Sequence, residues 1–274
     1  MAEQVTYFDA DKGAGRLAML DLAAGARTLG LAWLLAWRDM TNRFRGATLG
    51  MFWLTITTSA TALGLSIVYS QVFSISFREY LPYVATGTVV WVLISAFITE
   101  GAGVFVSGAN YYLQIPMAIS TMAYRLVLRQ GVQTAYRALA LIAFYVVVAL
   151  DVAPRTALVV PGLALMFYIG FWIAIIGGCV NARFRDLGQF LVAAMTMAFF
   201  VTPVFWRVES LGERAYLMNF NPLHHMMGIV RGPLIGASDL GLHFAVCGGL
   251  AVALTIVGLV TYATCHRRLP YWCA

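Results

Sequence analysis

The sequence predicts an all-α polytopic membrane protein with six transmembrane helices, and three observations carry this. Only 11% of the 274 residues are charged while 61% are hydrophobic; a soluble domain carries about 25% charged residues. Six stretches approach the roughly 20 mostly apolar residues that a spanning helix needs. The basic residues also divide unevenly between the loops that these stretches define, as the positive-inside bias requires.

The first 28 residues carry Glu3, Asp9, Asp11 and Asp21 and no apolar core. They are expected to be a cytoplasmic tail (residues 1–26) and not a cleaved signal. Residues 27–46 read as an amphipathic helix in the membrane interface. Trp33, Trp37, Met40 and Phe44 recur at helical spacing on one face. Arg38, Thr41, Asn42 and Arg45 occupy the others, and Asp39 is placed to pair with Arg43 at i,i+4. Tryptophans turned to lipid and arginines to anionic head groups suit such a helix.

The transmembrane domain covers residues 47–268, with spans at 50–73, 82–106, 131–150, 156–179, 187–206 and 242–265. Placing both termini in the cytoplasm leaves only Arg78, Arg155, Arg207, Arg214 and Arg231 outside. The inside loop Ser107–Gln130 is broken by Pro116 and reads either as a short cytoplasmic helix or as an ordinary loop. In the outside stretch Arg207–Gly241, Pro222 and Pro233 bracket about ten residues, too few to cross about 30 Å of hydrocarbon. Short periplasmic helices between spans five and six are expected there.

That stretch contains NPLHHMMGIVRGPLIG, Asn221–Gly236. Its adjacent histidines would point about 100° apart on a helix, whereas chelation on a helix uses i,i+4. A lid at the periplasmic mouth is the better reading, carried by Asn221, Pro222, His224, His225, Arg231 and Pro233. Arg231 is expected near head groups or a partner carboxylate.

Much chemistry is excluded. Lys12 is the only lysine, and its neighbours Asp11 and Gly13 do not make a phosphate-binding loop. No basic face with reading elements speaks for nucleic acid. Cys179, Cys247, Cys265 and Cys273 form no C-x-x-C pair and read as small apolar residues. No nucleophile–base set converges, so no catalytic residue, metal site or cofactor is assigned. Glu100 and Arg137 are few for a proton relay; Glu100 serves either transport or pairing with an arginine. Phe52, Tyr69, Trp91, Phe199 and Phe200 are among the rings that either line a pore or form interfacial belts.

Three stretches carry a resemblance. LLAWRDMTNRFRGATLGMFW (Leu34–Trp53), NARFRDLGQF with FFVTPVFW (Asn181–Phe190, Phe199–Trp206), and the stretch before span six resemble ABC-2 type polysaccharide export permeases, the last one most nearly the O-antigen branch and more loosely capsule exporters. The similarity runs from about Arg27 to Arg268. It departs after Asn110, where NYYLQIPMAIS replaces the basic and aromatic cluster frequent in that family.

The resemblance implies a half-transporter without its own ATPase. Two copies would form the pore and pair with two nucleotide-binding subunits that hold ATP and Mg. The implied substrate is lipid-linked polysaccharide and the implied location the bacterial inner membrane. The interface helix, with Trp33, Trp37, Arg38, Asp39, Arg43 and Arg45, would flank the entry portal. Asn110, Tyr111, Tyr112, Leu113, Gln114 and Pro116 would seat against the ATPase. An exporter of a small amphiphile or drug and, from another class, a secondary carrier are the alternatives.

Overall fold

The computed structural model describes residues 13–148, 154–236 and 239–273. Among these every regular element is helical. In chain order they are α1 (Ala14–Arg27), α2 (Leu29–Arg43), α3 (Phe52–Val72), α4 (Phe77–Ala102), α5 (Val104–Tyr112), α6 (Thr121–Val148), α7 (Val159–Arg183), α8 (Leu187–Val201), α9 (Pro222–Ile235), α10 (Leu240–Cys265) and α11 (Leu269–Cys273). Two 3₁₀ segments, Pro154–Leu158 and Val208–Phe220, precede α7 and α9.

The central element is α4, buried over 83% of its apolar window, against 22% for α3 and 17% for α10. It packs against α3, α6, α7, α8 and α9. Small residues set how closely it meets α7: a Cβ on Gly101 would press on Ala174, and one on Gly170 would collide with the Phe97 ring. In lipid, where tails are as apolar as leucine, such close approach is what holds helices together.

Among the described residues four helices have the length and hydropathy of a span: α3, α4, α10 and the helix running from Arg155 through α7. The α1–α2 pair meets the same test jointly but is bent by 67°. Thr28 makes the bend, because its N–H and hydroxyl turn back to the carbonyls of Ala24 and Gly25 and close α1. The 28 residues of α6 are long enough to cross, but Arg125, Arg129 and Arg137 load it with charge from its first turns to past its middle. The end of the third expected span, residues 149 and 150, lies outside the described residues.

Two sequence expectations are corrected in extent. The fifth span, expected over 187–206, is helical for only 15 residues, about 22 Å at 1.5 Å per residue. Thr202 turns extended just before Pro203, as the residue preceding a proline prefers. The tail expected over 1–26 contains α1, which packs along α10 and buries Asp21.

The face expected on α2 is also corrected. Met40 is fully buried with Ala32, Leu35 and Ala36 against α6, while Trp33 and Trp37 stack on each other on the exposed side, centroids 5.8 Å apart. The tryptophans and Met40 therefore lie on different faces. Asp39 is about one turn from Arg43 as expected, but its carboxylate turns to α6, where it meets Arg125 and Arg129. A cross-helix pair of arginines outcompetes the local one because both are held by packing.

Candidate functional site

Functional side chains gather at the two ends of the bundle. At one end stand α9 and the first turns of α4. Asn221 caps α9: its Oδ1 accepts from the N–H groups of Leu223 (2.9 Å) and His224 (3.3 Å), and Pro222 takes the first helical position. These are the preferred residues for those places. Gly236, at φ 78°, closes the helix in the left-handed region.

The helix so built is almost wholly inside the bundle. His224 through Pro233 are buried against α4, α7 and α10. Pro233 lacks the N–H that would bond the Ile229 carbonyl four residues back. That carbonyl faces Gly162 of α7, where any Cβ would collide with it.

Beside α9 runs the non-helical segment Pro203–Trp206. Its carbonyls need partners, since lipid supplies none. Arg231 Nη1 donates to Pro203 O at 2.6 Å, the Tyr80 hydroxyl to Phe205 O, and the Tyr83 hydroxyl to Trp206 O at 2.8 Å. The Val204 carbonyl packs at Gly87, which has no side chain to block it. Arg231 also lies 4.2 Å above the Tyr83 ring, a cation–π contact of roughly 2 kcal/mol when desolvated. Arg231, expected near head groups or a partner carboxylate, is a buried clamp on the break after α8, and the Glu209 carboxylate lines the same cavity.

Three histidines meet here. His225 Nε2–H donates to Asn219 O (2.9 Å), which leaves its Nδ1 to face His243 Nδ1 at 2.9 Å. The His224 ring stands edge-on to His243, centroids 5.1 Å apart, with its own Nδ1 buried and unpartnered. Among the described residues no cluster of His, Cys, Asp or Glu has the geometry to hold a metal ion. Tyr83, Glu209, Tyr216, Asn219, His224, Arg231, Asp239 and His243 line a cavity of about 370 Å³.

Burial, reinforced by His243, Arg231 and His225, holds the His224 imidazole down to about 3. The unfolded chain takes up this proton first, near 6.5. The stability tied to neutral His224 is thus complete above about 6.5 and declines as pH falls towards 3. The unfolding midpoint in detergent is expected to drop between pH 7 and pH 4, and His224→Gln to show a shallower drop.

Rings extend from this end down the bundle. Trp91, Phe199, Phe205, Tyr69, Phe73, Tyr80 and Tyr83 form a continuous chain with neighbouring centroids 4.9–6.2 Å apart. Phe200, half-exposed, joins through Phe199 and Phe205. Between α4 and α8 a cavity of about 380 Å³ is lined by Trp91, Ser95, Thr99, Thr196, Phe199 and Phe200 among others. Of the five rings singled out in the sequence, Tyr69, Trp91, Phe199 and Phe200 come together. Phe52 stands apart, edge-on to Tyr136.

The opposite end holds the charges. Asp39 Oδ1 and Oδ2 accept from Arg125 Nη2 (2.6 Å) and Nε (2.7 Å), and Oδ2 also from Arg129 Nη1 (3.1 Å). Arg129 Nη2 and Gln130 Nε2 both donate to Glu100 Oε2 at 2.8 Å. Glu100 thus takes the pairing role of its two readings. This network bolts α2, α4 and α6 together. Arg38, Arg43 and Arg45 remain exposed beside it, and Arg137 is buried with Gln133.

From Gly103 the chain turns into α5, whose Tyr112 is buried while Asn110, Leu113, Gln114, Ile115 and Pro116 are exposed. Tyr111 lies beneath the Arg125 guanidinium at 4.8 Å. The exposed turn is thereby tied to the same network as Asp39.

Sequence reasoning missed Tyr80, Tyr83, Asp21, His243 and Tyr262. Tyr80 and Tyr83 were detectable as an i,i+3 pair. The partners of the others lie far away along the chain.

Apolar spans around a buried core, a clamped helix break at one end and an ion-paired, protruding turn at the other define a multi-pass membrane protein. The ABC-2 type transporter family matches residues 30–235, and the chain belongs to that family. It is similar to two proteins from Klebsiella pneumoniae described as O-antigen export system permease protein RfbA. One is 20% identical over 224 residues, covering 81% of this chain and 86% of the relative. The other is 21% identical over 227 residues, covering 82% and 88%.

Proposed function

We propose that this chain is the transmembrane permease of an ATP-driven exporter that moves lipid-linked polysaccharide, O-antigen before capsule, from cytoplasm to periplasm. It works as a homodimer with two ATPase subunits, which hold ATP and Mg. It lies in the bacterial inner membrane with both termini cytoplasmic. The six spans are then α3, α4, α6, α7, α8 with its extension to Trp206, and α10. The observation that carries the reading is the family membership together with two relatives, alike over four-fifths of the chain, that are described as O-antigen export permeases.

The geometry suits it. Exposed arginines on and just after α2 offer a landing for an anionic carrier head group. The ring chain offers flat apolar faces along which sugars slide. The exposed turn Asn110–Pro116 offers the ATPase a handle connected to α4 and α6. The α9 helix is the lid.

A second reading, export of a small amphiphile, is favoured by one observation. An almost wholly apolar cavity of about 480 Å³ lies between α4, α6, α7 and α9, lined by Val89, Leu93, Leu141 and Val230 among others. That is within the size range of small-ligand sites. Deletion of the gene separates the two readings. Loss of surface glycan with lipid-linked glycan accumulating inside is the expected result; normal surface glycan refutes the glycan reading.

A further inference from the structure

Asp21 lies in α1, outside everything assigned so far, and its carboxylate is almost completely buried. Its Oδ1 accepts from the Ile119 N–H (3.0 Å), and its Oδ2 from the Ser120 N–H (2.9 Å) and the Tyr262 hydroxyl (2.6 Å). His266 Nε2 stands 3.4 Å from Oδ1. The Asp21 carbonyl in turn accepts from the Ser120 hydroxyl at 2.8 Å.

One side chain therefore ties together α1, the end of the loop leading into α6, and the end of α10. The surroundings reinforce the contact. Gly25, one turn further on, has no side chain, and a Cβ there would collide with Ser120 Oγ. The Tyr124 hydroxyl donates to Leu22 O at 3.3 Å, and the Thr28 and Thr121 hydroxyls meet at 3.3 Å. Burial pushes the Asp21 carboxyl up, but the nearby His266 side chain, the Tyr262 hydroxyl and the Ser120 N–H together outweigh it and leave the group below its ordinary value. A buried carboxylate so satisfied is a rigid junction, since losing any donor exposes an unpaired charge to a dry site.

Ile119 and His266 also line a groove of about 400 Å³ with Leu113, Pro116, Met117 and Arg267. The junction thus lies directly beneath the exposed turn. We propose that Asp21 is a positioning residue that makes this turn, α1 and the end of α10 move as one body, so that force applied at the turn reaches the last span and the bent α1–α2 arm. The inference rests on the reading above, in which an ATPase subunit pushes on that turn. Without the junction the turn would still contact the ATPase but would drive only α5 and α6.

The test uses the full complex of this chain with its ATPase subunit in lipid nanodiscs for hydrolysis, and the same variants in cells for export. Asp21→Asn keeps the shape but cannot accept from both backbone N–H groups; Tyr262→Phe removes the hydroxyl contact from α10 and leaves His266 in place. The complex is expected to assemble and hydrolyse ATP within about twofold of wild type in both. Glycan exported per ATP is expected to fall at least tenfold in Asp21→Asn and about threefold in Tyr262→Phe. Wild-type export per ATP in Asp21→Asn overturns the inference. So does loss of assembly, or of hydrolysis and export in equal proportion, in Asp21→Asn alongside a wild-type Tyr262→Phe, since that is a merely structural role. A wild-type complex that exports no glycan overturns the underlying reading and takes the inference with it.

Discussion

Replacing Gly162 with valine is expected to destabilise the protein by about 1–3 kcal/mol, the usual cost of forcing extra carbons into a packed interior, and to abolish export. Gly162 is where α7 meets the Ile229 carbonyl that Pro233 leaves without a helical partner. A backbone atom cannot swing aside as a flexible side-chain end can. The added carbons therefore push α9 away from α7, and Arg231, two residues on from Ile229, loses its alignment with Pro203 O and Tyr83. Gly64→Ala on α3, where a Cβ meets open space, is the control and should be neutral or stabilising by about 0.5–1 kcal/mol. Thermal unfolding of the purified chain in detergent, alongside surface glycan, checks both.

Asp39→Ala is the second large effect. It removes the carboxylate that pairs with Arg125 and, beside Glu100, with Arg129. Those arginines are one turn apart on α6, and like charges at i,i+4 repel. Breaking a fully buried pair costs about 3–5 kcal/mol. Here the side chains retain 12–23% of their exposure, so about 2–3 kcal/mol is expected after that discount. With α2 freed from α6, its exposed arginines and tryptophans lose their place beside the bundle. Export should fall to background, and the loss should be largely restored by swapping the charges, Asp39→Arg with Arg125→Asp.

The class of fold was legible because hydropathy is a local property: Phe52–Val72 and Leu240–Cys265 stand within two residues of their expected limits. The start and end of α9 were legible for the same reason, through Asn221-Pro222 and Gly236. The long-range partners were not legible. Nothing near Asp39 in sequence announces Arg125, 86 residues away, and nothing near Asp21 announces Tyr262. Arg231 misled because a charged residue in an outside loop ordinarily faces water or head groups. The structure buries it because the α8 break leaves the Pro203 carbonyl facing its guanidinium. The face of α2 was misjudged because its tryptophans and Met40 are equally apolar, and periodicity cannot tell a lipid-facing side from one that packs on a neighbouring helix.

Under the proposed function, this chain passes lipid-linked glycan across a membrane only when an ATPase subunit drives it. The most direct measurement is in proteoliposomes holding the chain and that subunit, loaded with lipid-linked oligosaccharide. Its appearance on the face opposite the ATPase is followed with and without ATP. Transfer is expected to require both ATP and the ATPase subunit, and to stop when cross-linking fixes α9 to the Val208–Phe220 segment. Equal transfer by the chain alone, or under a proton gradient without ATP, would contradict it.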